Sequence, residues 1–168
     1  NEFKLSDKSG VYPGDHHHIN DLLIVDNKLV VSLFSISGKW KEKNYDGGLL
    51  ECDLHNFNGF KPIAENLLFP HSPVIYKDEI YYVESLRGAL SRLDDRDIIK
   101  LPGFIRGIYT IDDIFYIGQA RNRHIYEAKN HISGSSIDSG LYVADIESKA
   151  VRFIKLPDMC DVYNITYA

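Results

Sequence analysis

His16, His17 and His18 stand in a row near the start of the chain, and Asn20 follows two residues on. Imidazole is the side chain best suited to proton transfer near neutral pH and the commonest metal ligand. In an extended strand side chains alternate, so His16, His18 and Asn20 share one side and His17 faces away. A further histidine, His71, lies in Pro70-His71-Ser72-Pro73, and an arginine, Arg106, lies in Gly103-Phe104-Ile105-Arg106-Gly107. His16, His18 and His71 together with Glu84 are the candidate ligands of a divalent metal, whose open position would activate water or polarise a substrate. The competing role for these histidines is to satisfy backbone groups or to form a plain surface turn, since no H-E-x-x-H signature supports the metal. Arg106 has two open roles as well: a bidentate clamp on a carboxylate or phosphate, or an ion pair, for instance with Glu84. His71 and Ser72 are adjacent on a strand and point oppositely, which rules out a Ser-His nucleophile there.

Those residues must be positioned by something, and an internal repeat supplies it. Three segments, about 18–66, 71–101 and 106–156, each contain four short β-like runs. In the first they read INDLLIVD, NKLVVSLF, GGLLECD and FKPIAEN. The first two runs are joined by Asp26-Asn27, Asp78-Glu79 or Asp112-Asp113, residues that tolerate tight turns. The third run opens with Gly48, Gly88 or Gly140 and closes with Asp53, Asp94 or Asp145. Four strands per repeat is the layout of a β-propeller blade. The expected fold is therefore all-β, a partial β-propeller of about three four-stranded blades with an extra strand at each end; a β-sandwich or meander is the competing architecture. Residues 160–168 read as the start of a further blade and EFKLSD as an outer strand of a preceding one. Because propellers close with about four to eight blades, the whole chain, 1–168, is expected to be a single segment, the C-terminal half of a longer propeller or one copy in a ring-completing oligomer.

Blade geometry gathers the start of strand one, the end of strand two and the following loop on one face. That face is expected to collect His18, Asn20, His71, Glu84, Arg106, Gln119 and Arg121 as ligand-binding candidates, with Asp15, Arg123, His124 and Tyr163 close by. The turn acids Asp26, Asp78, Asp112 and Asp113 fall on the opposite face as ordinary solvated groups. Trp40, in the lysine-bearing loop, reads either as a stacking platform or as a ring folded over the blade top.

Composition narrows the partners. The 168 residues carry a net charge of −5, which argues against a nucleic-acid or anionic-membrane surface. No apolar run reaches the roughly 18 residues of a membrane span. Cys52 and Cys160 have no zinc-ligand spacing, and two thiols fit a reducing cytoplasm as well as one disulfide. The Asn164-Ile165-Thr166 glycosylation triplet falls within an apparent strand and is discounted for that reason.

The marks His18-Ile19-Asn20, Pro70-His71-Ser72-Pro73 and Gly103-Phe104-Ile105-Arg106-Gly107, in that order, resemble those of a conserved hypothetical family catalogued as a domain of unknown function. The resemblance runs from about residue 15 to 167 and implies a propeller-like fold in a protein roughly twice this long. It implies no reaction. The residues themselves leave three functions open. One is a small-molecule site at a His/Arg-lined channel mouth, for an anionic or carbohydrate-like ligand, with or without metal-assisted catalysis. The second is a protein-interaction scaffold using the long third-repeat loop. The third is a structural fragment completed by a missing half or by self-association.

Overall fold

A computed structural model describes residues 15–131, 135–158 and 161–167, with the side chain of Asn58 left aside. Among these, twelve strands run in chain order. The first sheet holds β1 (Ile19–Val25), β2 (Lys28–Leu33), β3 (Gly47–Asp53) and β4 (Asn56–Leu67). The second holds β5 (Pro70–Tyr76), β6 (Glu79–Glu84), β7 (Ala89–Arg92) and β8 (Ile99–Lys100). The third holds β9 (Phe104–Ile111), β10 (Ile114–Ala120), β11 (Gly140–Asp145) and β12 (Val151–Lys155). In each sheet neighbours in space are neighbours in sequence, so each is an up-and-down meander. The chain is all-β, and its three four-stranded antiparallel sheets fit the blades of a partial propeller. A 3-10 turn at Trp40–Glu42 and a one-turn helix, α1 (Ile125–Ala128), sit in the two long loops.

Local chemistry explains the strand joins. Asp26 and Asn27 both adopt positive φ, 47° and 72°, as a two-residue hairpin requires. In the second blade the turn lies at Lys77-Asp78, one residue before the expected Asp78-Glu79. Glu79 already belongs to β6, where its carboxylate takes Arg92 at 2.7 Å. The closing aspartates act as predicted in two blades. Asp53 accepts the amides of His55 and Asn56, and Asp145 those of Glu147 and Ser148. Asp94 instead receives the side chain of Arg92. Gly88, between β6 and β7, has φ +59°, and a Cβ there would meet the Leu101 carbonyl oxygen at 2.0 Å. Only glycine fits.

The chain divides into two compact units, residues 1–73 and 74–168. The first packs Val31, Leu33, Leu50, Cys52 and Phe60 into a core. Within the second, the β6–β8 strands and the third sheet share one larger core that includes Val83, Leu90, Ile105, Phe115 and Ile117. The second strand of each blade ends in fully buried residues, VVSL, YYVE and IGQA, which explains their near-continuous apolar reading.

Residues 161–167 carry no regular secondary structure, so the triplet Asn164-Ile165-Thr166 is not strand. A Cβ on Gly118 of β10 would strike Val162 at 2.5 Å, and that close fit holds the segment against the third sheet without a ladder. The proposed outer strand at EFKLSD and Cys160 lie outside the described residues. Cys52 is a buried free thiol. No helix among the described residues is long and apolar enough to cross a membrane.

Candidate functional site

In the first unit, the polar residues gather where β1 begins and β2 ends. The strand alternation expected for the histidine run does not hold, because β1 starts only at Ile19 and His18 sits at φ 51°. His16 is exposed. His17 turns inward, its Nδ1 bonding the Ser35 carbonyl at 2.9 Å, while its own carbonyl accepts the amides of Phe34 and Ser35. His18 points a third way. Its Nδ1 pairs with an Asp15 carboxylate oxygen, and its amide donates to the other oxygen at 2.6 Å. The Trp40 indole Nε1–H donates to the Asp15 carbonyl at 2.9 Å, so the ring folds over the blade end. The loop that presents Trp40 is tied down by Asp46, which accepts the Ser35 hydroxyl at 2.5 Å and the Ser37 amide at 3.0 Å.

His71 is nearly buried, its side chain 7% exposed, with Nδ1 3.3 Å from Asp21 Oδ2. The same oxygen accepts the Ser72 amide at 2.9 Å. Asn20 donates to the Pro70 carbonyl at 3.1 Å, which joins β1 to the start of β5. A register shift between Ile19 and Asp21 marks a bulge, a common device for re-aiming side chains at a site. Between the histidines lies Phe34. Its ring is 4.4 Å from His18 and 5.3 Å from His71, and it stacks on Phe69 at 3.8 Å.

In the second unit, Glu84 has no exposed side-chain area and is committed to Arg96. Arg96 Nη2 reaches both carboxylate oxygens, at 2.8 and 2.7 Å, and Nε adds a third bond at 3.0 Å. Burial opposes the Arg96 charge, but its bonds to Glu84 outweigh that and raise its pKa. Of the two roles open to Arg106, an ion pair with Glu84 is not the one seen: Glu84 is bound by Arg96, and a carboxylate so occupied has little left for a metal. Among the described residues no group of three or more His, Cys, Asp or Glu is placed to hold a metal ion. The nearby Tyr82 hydroxyl is pushed up to about 12, by burial first and the Glu84 charge second.

Gln119 also turns inward. It is fully buried, donates to the Ser136 hydroxyl and the Asp138 carbonyl at 2.8 and 2.6 Å, and accepts the Tyr142 hydroxyl at 2.5 Å. Gly103 exists to admit it, since a Cβ there would fall 1.6 Å from Gln119 Oε1. Arg121 is exposed on the loop.

Arg106 is different in kind. Its guanidinium carbon lies 4.9 Å from the Phe104 ring and 4.7 Å from the Tyr163 ring, a cation held between two aromatic faces. Its Nε is buried with no hydrogen-bond partner among the described residues. Burial lowers its pKa, against the opposing pull of Tyr163 and Asp161. Asp161 itself is bound at 2.8 Å by Arg123, which also donates to the Tyr163 hydroxyl at 2.8 Å. His124 closes on the Phe104 ring at 5.3 Å.

The structure thus brings His18 and His71 to one aromatic ring, and Arg106 to Arg123 and Tyr163; it commits Glu84 and Gln119 to structural bonds. Sequence reasoning missed Asp21, Phe34, Phe69 and Arg96. Asp21 left one signal, a charge inside the apolar run INDLLIV.

Residues 7–167 match the model of a family described as a domain of unknown function (DUF4915). No curated protein matches the chain. Among solved structures, the computationally designed Ika8 protein aligns over 93% of this chain with a TM-score of 0.50 and 11% identity. At that identity the likeness concerns the fold alone, and this chain spans only 42% of the Ika8 chain.

Proposed function

The chain belongs to the DUF4915 family, and from that premise we propose that it is a binding module for a small anionic ligand anchored by Arg106. The observation that carries this reading is a desolvated guanidinium that forms no ion pair among the described residues and has a buried, unbonded Nε. Every other arginine in this part of the second unit has a reason to be there: Arg96 holds Glu84, Arg87 holds Asp97, and Arg92 holds Glu79 and Asp94. A partly buried cation whose neighbouring carboxylate, Asp161, is bound by Arg123 is what an incoming carboxylate or phosphate would complete. Arg123, at 59% side-chain exposure, and the exposed Arg121 add positive potential nearby. A metal has no part in this reading. The free thiol of Cys52 is consistent with a reducing, cytoplasmic setting.

The test is titration of the purified chain with inorganic pyrophosphate and with citrate, followed by calorimetry. A charge-assisted bidentate contact contributes about 1.5–3 kcal/mol, so Arg106→Ala should weaken binding roughly 10- to 150-fold. Arg106→Lys, which keeps the charge but loses the planar fork, should weaken it by most of that amount. Equal affinity in wild type and Arg106→Ala would refute the reading.

A second reading, association with another protein surface, is favoured by apolar residues that remain in solvent. Leu22 and Ile24 of β1 are 64% and 65% exposed, and Tyr126 in the third-blade loop is 81% exposed. A missing half of the propeller or a second copy would cover the β1 strip, and native mass measurement separates a monomer from an assembly.

A further inference from the structure

Two imidazole–carboxylate pairs flank Phe34 in the first unit, and the anion-binding reading uses neither. In His18 the pairing of Nδ1 with Asp15 fixes the ring proton on that nitrogen and makes Nε2 the basic one. Asp15 is itself oriented, because its second oxygen accepts the His18 amide at 2.6 Å and its carbonyl accepts Trp40. The His18 side chain is 34% exposed, so water and a small substrate reach it. His71 repeats the arrangement with Asp21 in a nearly buried position. Trp40, partly exposed, lies 4.7 Å from His18 and meets edge-on at 6.1 Å the buried Phe34 ring, which supports both from below.

The backbone adds an independent sign. His18, Phe69 and Ser72 are non-glycine residues at φ 51°, 55° and 51°, and all three border this cluster. Each such residue costs on the order of 1–3 kcal/mol and persists only where the surroundings enforce it, a condition concentrated at functional sites. Elsewhere in the described chain most positive-φ positions are turn residues such as Asp26, Asn27 and Asp112.

We propose that His18, oriented by Asp15, is a general base for the metal-free hydrolysis of a small ester whose ring or acyl face rests on the partly exposed Trp40. His18 Nε2 takes a proton from water as the water oxygen bonds to the carbonyl carbon. The ester C–O bond then breaks, and the proton passes from His18 to the departing alkoxide oxygen. Ester and water become acid and alcohol, and no other reactant is consumed. Asp15 is a positioning residue, as are Asp21 and His71, which pack against the buried Phe34 ring beneath His18.

The experiment is hydrolysis of p-nitrophenyl acetate by the intact chain, followed over pH. A positioned base contributes about 10²–10⁴-fold. His18→Gln should therefore lose at least 10-fold in kcat/KM. Asp15→Asn, a near-isosteric change that keeps the fold, should lose a similar factor and move the pH midpoint of kcat/KM. Trp40→Ala should raise KM more than it lowers kcat. The downfield imidazole N–H resonance of His18 should be present in wild type and absent in Asp15→Asn. His55→Gln, in an exposed turn, should match wild type. No hydrolysis above the buffer rate, an unmoved midpoint in Asp15→Asn, or an equal loss in His55→Gln would each overturn the proposal. Ester turnover and anion binding are separate readouts on separate residues, so this inference and the Arg106 reading fail independently.

Discussion

Glu84 is a carboxylate with no exposed surface, held by three hydrogen bonds from one guanidinium. Such a pair contributes little net stability, because desolvating both charges offsets their attraction. Breaking it is another matter. Arg96→Ala removes three bonds from the buried Glu84, leaving Arg87 3.8 Å away beside it, and should cost about 1–3 kcal/mol in urea unfolding. The double replacement Glu84→Gln with Arg96→Met should recover most of that, which separates an under-bonded carboxylate from lost packing. Acid stability has a different source. Asp113 lies below the usual carboxylate range because Lys77 and then Tyr76 bond it, and Asp145 does so through the Ser148 amide. A carboxylate whose folded pKa is depressed stabilises the fold above its unfolded pKa and loses that contribution as pH falls through the folded value. Stability should accordingly drop on acidification below about pH 4. Asp113→Asn should flatten that acid limb and lower the urea midpoint at pH 7; Asp113 is far from the plain solvated turn acid its sequence position suggests.

At the scale of the element, the turns do most of the specifying. Gly88 combines positive φ with a Leu101 carbonyl in the space a methyl group would need. Gly88→Ala must shift the backbone between β6 and β7 and should cost upwards of about 1 kcal/mol, read as a lower melting temperature. Turn chemistry also made the blades legible: aspartates, asparagines and glycines recur at fixed places, and a period-2 pattern between them fixes the strand. The one-residue displacement at Lys77-Asp78 was not legible, since lysine has no turn preference and an acidic Glu79 at the start of β6 reads as one more turn residue. The histidine run failed for a related reason. Alternation assumes an extended backbone, and the positive φ at His18 sends three consecutive rings to three different environments.

For the molecule as a whole, the repeat carried the architecture but not the pairing of charges. Glu84 meets Arg96, twelve residues on, through a loop whose course no short-range pattern encodes. His18, His71 and Arg106 were legible as polar residues at strand starts, and Trp40 and Tyr163 as rings near them; Phe34, Phe69 and Phe104 were not, because they read as ordinary core. The exposed β1 strip gives a prediction at this scale. Leu22→Lys should change the stability of the isolated chain by no more than about 0.5 kcal/mol, as for other solvent-facing positions. If the strip is an interface, the same change should lower the assembled fraction seen by native mass spectrometry.

One consequence follows from how the long third-blade loop is fastened. Gln119 and Asn122 grip its near root to Ser136 and Ser135 at the far root, and the Gln119 amide uses both its donor and its acceptor faces in doing so. These clasps draw the two ends of the loop together where the chain leaves β10 and returns toward β11. Exposed loop positions such as Tyr126 and Lys129 can therefore be changed, by evolution or by an engineer, as long as the anchored Arg123 and His124 and the buried Ala128 are kept. A glutamate at 119 would forfeit that freedom, because a carboxylate has no N–H to offer Ser136 and the Asp138 carbonyl.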